Sequence, residues 1–231
     1  MGNFKSFVSK YKHAWLFVVF FFGIMPWFDL LEKYITEDSD YTVLHVKLDD
    51  KIPFHEIFAI PYVLWYFYFV FTAVYLFFVS VKDFYKFGAY IMIGMAICLF
   101  TCTVFPNGQD LRVKSFPRQN FMTDIVNKFY TTDTPTNVFP SMHCFNSIVF
   151  AVSLNHCEKI AKSKFKWFIL IFTVTLSILI MLSTVFIKQH SVVDVYAAIV
   201  LGIILYPLIY TEESKKLINK YKKDSPKEKV N

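Results

Sequence analysis

Arginine is nearly missing from this chain. Of its 24 basic residues, only Arg112 and Arg118 are arginine, and both fall in one polar loop. Elsewhere the positive charge is carried by lysine. A guanidinium presents a planar fork that matches phosphate oxygens two at a time, so its confinement to residues 106–140 points to an oxyanion held there. Cysteine pairing is missing as well. Cys98, Cys102, Cys144 and Cys157 lie in or beside apolar runs with no CxxC pair. Cys98 and Cys102 would share a helix face, but no matching histidines complete a zinc set, and the four read as small apolar packing residues. The alternating pattern of a membrane barrel is absent. The first apolar run ends in Trp27-Phe28-Asp29 without a small-residue cleavage site, so it reads as a span rather than a removable leader. No Asn-x-Ser/Thr sequon occurs.

What the chain does have is apolar surface. It is 55% hydrophobic and 20% aromatic with 28 Phe, and its mean hydropathy is +0.43. Uninterrupted apolar stretches long enough to cross a bilayer define an all-α, polytopic membrane protein, with six transmembrane helices expected near 14–31, 57–79, 88–105, 141–157, 167–187 and 191–210. Pro26 should kink the end of the first. The segment 32–55 is an acidic loop with an extended or amphipathic piece from Tyr41 to Leu48, and 106–140 is a long loop with a short amphipathic helix over 120–130. A loop of that length inside a compact domain is most often functional. The chain reads as a single integral-membrane domain over 1–231, with a core at about 105–200 and a polar tail over 211–231. The opening Met1-Gly2-Asn3-Phe4-Lys5-Ser6 fits the myristoylation pattern, but an anchor is redundant on a multi-spanning protein and the match reads as coincidence.

The net charge of +6 sits in loops and tail. It suits anionic lipid head groups, and nucleic acid is not an expected partner. With six spans, alternate connections carry 16 and 8 of the 24 basic residues. The positive-inside rule then puts both termini in the cytoplasm and the loops 32–55, 106–140 and 188–190 outside, at the plasma membrane.

Two strings lie on that outer side. Phe139-Pro140-Ser141-Met142-His143 opens the fourth apolar run, and Ser183 to Asp194, containing Lys188, Gln189 and His190, straddles the fifth and sixth. Ionisable residues at the mouth of apolar segments are costly and mark functional positions. Helices joined by short turns pack as neighbours, which draws His143, Lys188, His190 and Asp194 together. Ser141 is a good N-cap, and the helix start behind it is an anion site. Asp194 follows His190 by four residues. A carboxylate on one imidazole nitrogen sets the tautomer and frees the other nitrogen to attack, while a second histidine can serve as general acid. His13, His45, His55 and His156 lack such company and read as interfacial or structural.

These residues resemble the type 2 phosphatidic acid phosphatase superfamily, which shares its catalytic core with vanadium-dependent haloperoxidases and carries the motifs KxxxxxxRP, PSGH and SRxxxxxHxxxD. Pro140-Ser141-Met142-His143 resembles the second with Met for Gly. Ser183-Thr184 with His190 and Asp194 has the spacing of the third with Thr for Arg. The variant strings are similar to the inositol-phosphoceramide synthase branch. The first motif is absent; its nearest counterpart, Asn107 to Arg112, keeps only the arginine. The resemblance covers about 105–200 and implies the following roles. His190 is the nucleophile that forms a phosphohistidine, Asp194 orients it, His143 protonates the leaving group, and Ser141 bonds a phosphate oxygen. No metal or cofactor is implied. For the phosphate clamp the expected residues are Arg112 first and Lys188 second, with Arg118 and Lys114 behind them.

The expected function is hydrolysis of a phospholipid or polyprenyl phosphate or pyrophosphate at the outer leaflet. One alternative is a head-group phosphotransferase. Another is a catalytically silent lipid-binding or scaffold protein that keeps the fold.

Overall fold

A computed structural model describes residues 11–211. The amino-terminal hexapeptide pattern and nearly all of the lysine-rich tail lie outside the described residues. Eight helices form the body: α1 (Lys12–Tyr34), α2 (Glu56–Val79), α3 (Val81–Val104), α4 (Phe121–Thr132), α5 (Met142–His156), α6 (Glu158–Ala161), α7 (Lys166–Phe186) and α8 (Val192–Tyr210). Two dipeptide strands, β1 (Thr42–Val43) and β2 (Asn107–Gly108), pair in parallel and pin the two long loops together.

The apolar runs became helices for the reason their composition implies, since no backbone amide can go unpaired in hydrocarbon. α1, α2, α3, α7 and α8 are each long and apolar enough to cross a membrane. The expected fourth span is different. α5 has 15 residues, about 22 Å at 1.5 Å per residue, short of a bilayer core of about 30 Å. It is also the best-covered helix, packed against α2, α3, α7 and α8 with Cys144, Phe145, Val149 and Phe150 fully buried. The third span begins earlier than its hydropathy implied. Ser80 caps it by accepting the Asp83 amide, so Lys82 and Lys86 belong to its first turns. In α1 a π-helical turn over Phe20–Ile24 ends two residues before Pro26; it accommodates the carbonyl that the proline ring would otherwise strike.

Buried polar contacts lock the helices in register. Tyr90 Oη donates to the Gly202 carbonyl at 2.6 Å, Ser177 Oγ to the Ser147 carbonyl at 2.8 Å, and Asn155 Nδ2 to Thr173 Oγ1 at 2.8 Å. Such side chains hold packed helices where apolar burial gives no preference between lipid and protein. Gly94 of α3 is where α5 comes closest: a Cβ there would sit 1.9 Å from the Phe145 ring. All four cysteines are free and buried.

Candidate active site

α7 ends in a Schellman turn. The Gln189 amide donates to the Thr184 carbonyl at 2.9 Å and the Lys188 amide to the Val185 carbonyl at 3.2 Å, with Lys188 at φ 58°. Glycine usually takes that left-handed position, and Lys188 occupies it at a cost of about 1 kcal/mol. The turn delivers His190 and then Ser191, the N-cap of α8. Ser191 and Asp194 form a capping box: Ser191 Oγ accepts the Val193 amide, and Asp194 Oδ2 accepts the Ser191 amide at 3.0 Å. The same Asp194 oxygen lies 3.2 Å from His190 Nδ1. A carboxylate can only accept, so Nδ1 carries the proton and Nε2 is the nitrogen left with a lone pair. His190 itself precedes the helix. The pair therefore arises from the cap and not from a shared helix face.

His143, in the first turn of α5, faces this imidazole with ring centroids 6.0 Å apart. It stacks on Tyr62 at 4.6 Å and leans against Trp65 at 4.5 Å, both from α2. Ser141 caps α5 by accepting the Cys144 amide, and its own amide donates to the Asp194 carbonyl at 3.2 Å, tying the two histidine-bearing segments directly. Both histidines line a cavity of about 340 Å³. Its polar end holds Glu32, Asp133, Asn137, Asn146 and Gln189, and its other end is apolar, running between α1 and α2 past Phe20, Phe21, Phe28 and Phe69.

The remaining expected site residues are placed differently. Arg112 is half-enclosed beside the turn, with four hydrogen bonds committed. Nη1 donates to the carbonyls of Tyr130 and Asp133, both at 2.9 Å. Nη2 donates to the Thr134 carbonyl at 3.0 Å and to Gln189 Oε1 at 2.8 Å. The guanidinium lies over the Tyr130 ring at 4.9 Å. Burial lowers its pKa, and burial pushes the Tyr130 hydroxyl up to about 12. Lys188 points away from the cavity, its Nζ donating to the Asp49 carbonyl at 2.9 Å, and burial lowers its pKa as well. Arg118 is exposed and pairs with Glu56 at 3.4 Å. Ser141, Arg112 and Lys188 are absent from the cavity lining. Thr184 is buried, its hydroxyl bonded to the Met181 carbonyl.

Residues from the two long loops, unremarked in the sequence, hold the turn. Asp49 is 1% exposed and accepts Ser191 Oγ at 2.6 Å and the Val192 amide at 2.8 Å. Gln109 Nε2 donates to the Lys188 carbonyl at 3.2 Å and Tyr130 Oη to the Ile187 carbonyl at 2.7 Å. Asp49 could have been suspected as an acid among apolar neighbours; nothing in the sequence flagged Gln109. Among the described residues no three His, Cys, Asp or Glu side chains gather as a metal-ligand set.

Fold and site thus define a polytopic helical membrane protein with a His–His–Asp cluster at the mouth of its helices. Residues 114–217 match the family model of the PAP2 superfamily. The matched stretch contains both histidine strings and is similar to that superfamily, whose members are phosphatases or phosphotransferases acting on lipid phosphates. The match does not reach the inositol-phosphoceramide synthase branch. No curated protein and no solved structure matches the chain.

Proposed function

We propose that this protein transfers the phosphoryl centre of a membrane lipid through a phosphohistidine on His190, at the outer leaflet of the plasma membrane with both termini cytoplasmic. The observation that carries the reading is the His190 Nδ1–Asp194 contact at 3.2 Å, with His143 facing the same imidazole across one cavity. His190 Nε2 attacks phosphorus, forming a P–N bond as the P–O bond to the lipid alcohol breaks. His143 gives its proton to the departing alkoxide. It then takes a proton from the incoming water or alcohol, whose oxygen displaces His190 and regenerates the imidazole. Asp194 holds the proton on Nδ1 throughout and stabilises the imidazolium character that develops as Nε2 bonds to phosphorus.

The shape of the cavity supports a lipid. Its apolar lining comes largely from α1 and α2, where Phe21 is largely exposed, which suits acyl or prenyl chains entering from the bilayer while the phosphate meets the histidines. Met142 and His143 begin α5 and both line the cavity, which sets a helix N-terminus there for developing negative charge. Hydrolysis, with water as acceptor, is the first reading. Head-group transfer to a second alcohol is favoured by one observation: among the described residues no lysine or arginine lines the cavity, which suits a singly charged phosphodiester better than a doubly charged monoester.

The test is product release by the purified protein in detergent with chelator present. The substrates are phosphatidic acid, polyprenyl pyrophosphate and diester phospholipids, with and without an added alcohol. Inorganic phosphate from the first two marks hydrolysis; a new phosphodiester marks transfer. Either product should vanish in His190→Ala, and product formation unchanged in that variant would refute the mechanism.

A further inference from the structure

The polar end of the cavity has the wrong charge for an anion site and the right one for a cation. Glu32 and Asp133 both line it, and among the described residues no lysine or arginine does. Burial raises the Asp133 pKa, and the charge of Glu32 raises it further, while Arg112 and His190 oppose the shift. Arg112 acts from outside the cavity with its fork spent on carbonyls. Glu32 is already ordered: Oε2 accepts the Thr134 amide and hydroxyl at 3.0 and 2.8 Å, and Oε1 accepts Asn137 Nδ2 at 3.0 Å. Asp133 lines the same cavity, and its backbone carbonyl accepts from Arg112 Nη1 at 2.9 Å. Two carboxylates on one wall repel each other and would repel a phosphate dianion about twice as strongly as a monoanion.

A second observation points to an occupant. Asn137 is 6% exposed and Gln189 5% exposed, both line the cavity, and Asn137 Oδ1 and Gln189 Nε2 have no hydrogen-bond partner among the described residues. Their orientations are set, because Asn137 Nδ2 is engaged by Glu32 and Gln189 Oε1 by Arg112. The unpaired acceptor is therefore on the side chain that also holds Glu32, and the unpaired donor is on the residue that precedes His190. Buried polar atoms left this way are costly unless a ligand completes them. The wall also carries Tyr62, Trp65 and Tyr66, whose ring faces attract ammonium groups.

We propose that Glu32, Asp133 and Asn137, with the aromatic wall of α2, form a subsite for an ammonium head group. The substrate is then a zwitterionic phosphodiester lipid of the ethanolamine or choline type, with Gln189 Nε2 donating to its phosphate beside His190. The proposal rests on the reading of His190 as the phosphoryl acceptor. The ammonium group neutralises the carboxylates, the head group stays seated, and the diacylglycerol-like alcohol is the group that leaves toward the bilayer.

Binding to the His190→Ala protein in detergent separates this subsite from turnover. The ligands are short-chain phosphatidylethanolamine, phosphatidylcholine, phosphatidylinositol and phosphatidic acid, followed by calorimetry. The expected result is at least tenfold tighter binding of the two ammonium lipids than of phosphatidylinositol or phosphatidic acid. Asp133→Asn in the same background should remove most of that preference, weakening the ammonium lipids relative to phosphatidylinositol. Ethanolamine tightest assigns the site to the Asn137 acceptor and carboxylates, and choline tightest assigns it to the rings; both support an ammonium subsite. Equal or tighter binding of phosphatidic acid or phosphatidylinositol would overturn it, as would no binding at all. Should Asp133→Asn fail to fold, the four-ligand comparison in the parent protein decides alone. His190-dependent hydrolysis of phosphatidic acid in the wild type without ammonium preference would defeat the subsite and leave the phosphohistidine chemistry standing. Ammonium-selective binding without turnover of any lipid would do the reverse.

Discussion

Gln189 Oε1 accepts a 2.8 Å hydrogen bond from Arg112 Nη2, a contact between residues 77 positions apart that joins the long polar loop to the turn carrying His190. The arginine that the sequence marks as a phosphate clamp makes four hydrogen bonds within the protein. Its four committed donors fix the 130–134 segment and aim the Gln189 amide at the cavity.

Arg112→Lys should therefore act on the frame more than on one substrate. An ammonium cannot reach four carbonyl-type acceptors from one position, and loss of buried hydrogen bonds of this kind costs about 1–3 kcal/mol. The expected outcome is a lowered unfolding midpoint in detergent together with a similar fractional loss of kcat for every lipid turned over. A change confined to KM, with stability intact, would return Arg112 to direct phosphate contact.

Asp49→Ala should damage the site from a distance. It removes the acceptor for Ser191 Oγ and the Val192 amide at the start of α8, leaving buried donors unpaired at a cost of about 1–3 kcal/mol. Turnover should fall with stability, and Asp49→Asn should restore part of both, because one of its side-chain atoms still accepts. If Asp49→Ala matched the wild type in both readings, the loop 35–55 would have no part in holding the turn.

Gly94→Ala tests the packing of α5. The added carbon would meet the Phe145 ring at 1.9 Å, and overpacking of this kind costs about 1–3 kcal/mol. Gly94→Ala combined with Phe145→Leu should recover much of the lost thermal stability; a single variant as stable as the wild type would mean the helices part freely.

His45 predicts a pH dependence. Its ring lies 2.7 Å from Asp50 and 3.0 Å from Asp110, and hydrogen bonds to those two carboxylates raise its pKa above 6.5. A raised folded-state value stabilises the protonated form, so the contribution is complete below about pH 6.5 and is lost as pH rises through the raised value. The unfolding midpoint should decline across that window in the wild type, and the decline should shrink in His45→Gln. A decline of the same size in His45→Gln would assign it to another group.

Much of the architecture was legible because the causes are local. Apolar runs placed the helices, with edges within a few residues of those found except at α3, where Ser80 caps a helix that takes in Lys82 and Lys86. Ser141 was readable as an N-cap, and His190 with Asp194 was readable as a pair from their spacing. The shortness of α5 was legible as well: the fourth run was expected as a short one over 141–157, bounded by Pro140 and by Glu158-Lys159, and the helix spans Met142–His156.

Sequence alone determined the helical membrane class, the two histidine strings and their neighbouring carboxylate, since hydropathy, capping and four-residue spacing act along a few turns of chain. Tertiary structure decided what each charged side chain does. Arg112, Lys188, Glu32, Asp133 and Asp49 make their decisive contacts with segments distant in sequence or line a cavity assembled from several helices. In a low-dielectric interior the role of a charge is set by which group it meets. A charge run read along the chain names the candidates, and the fold pairs them.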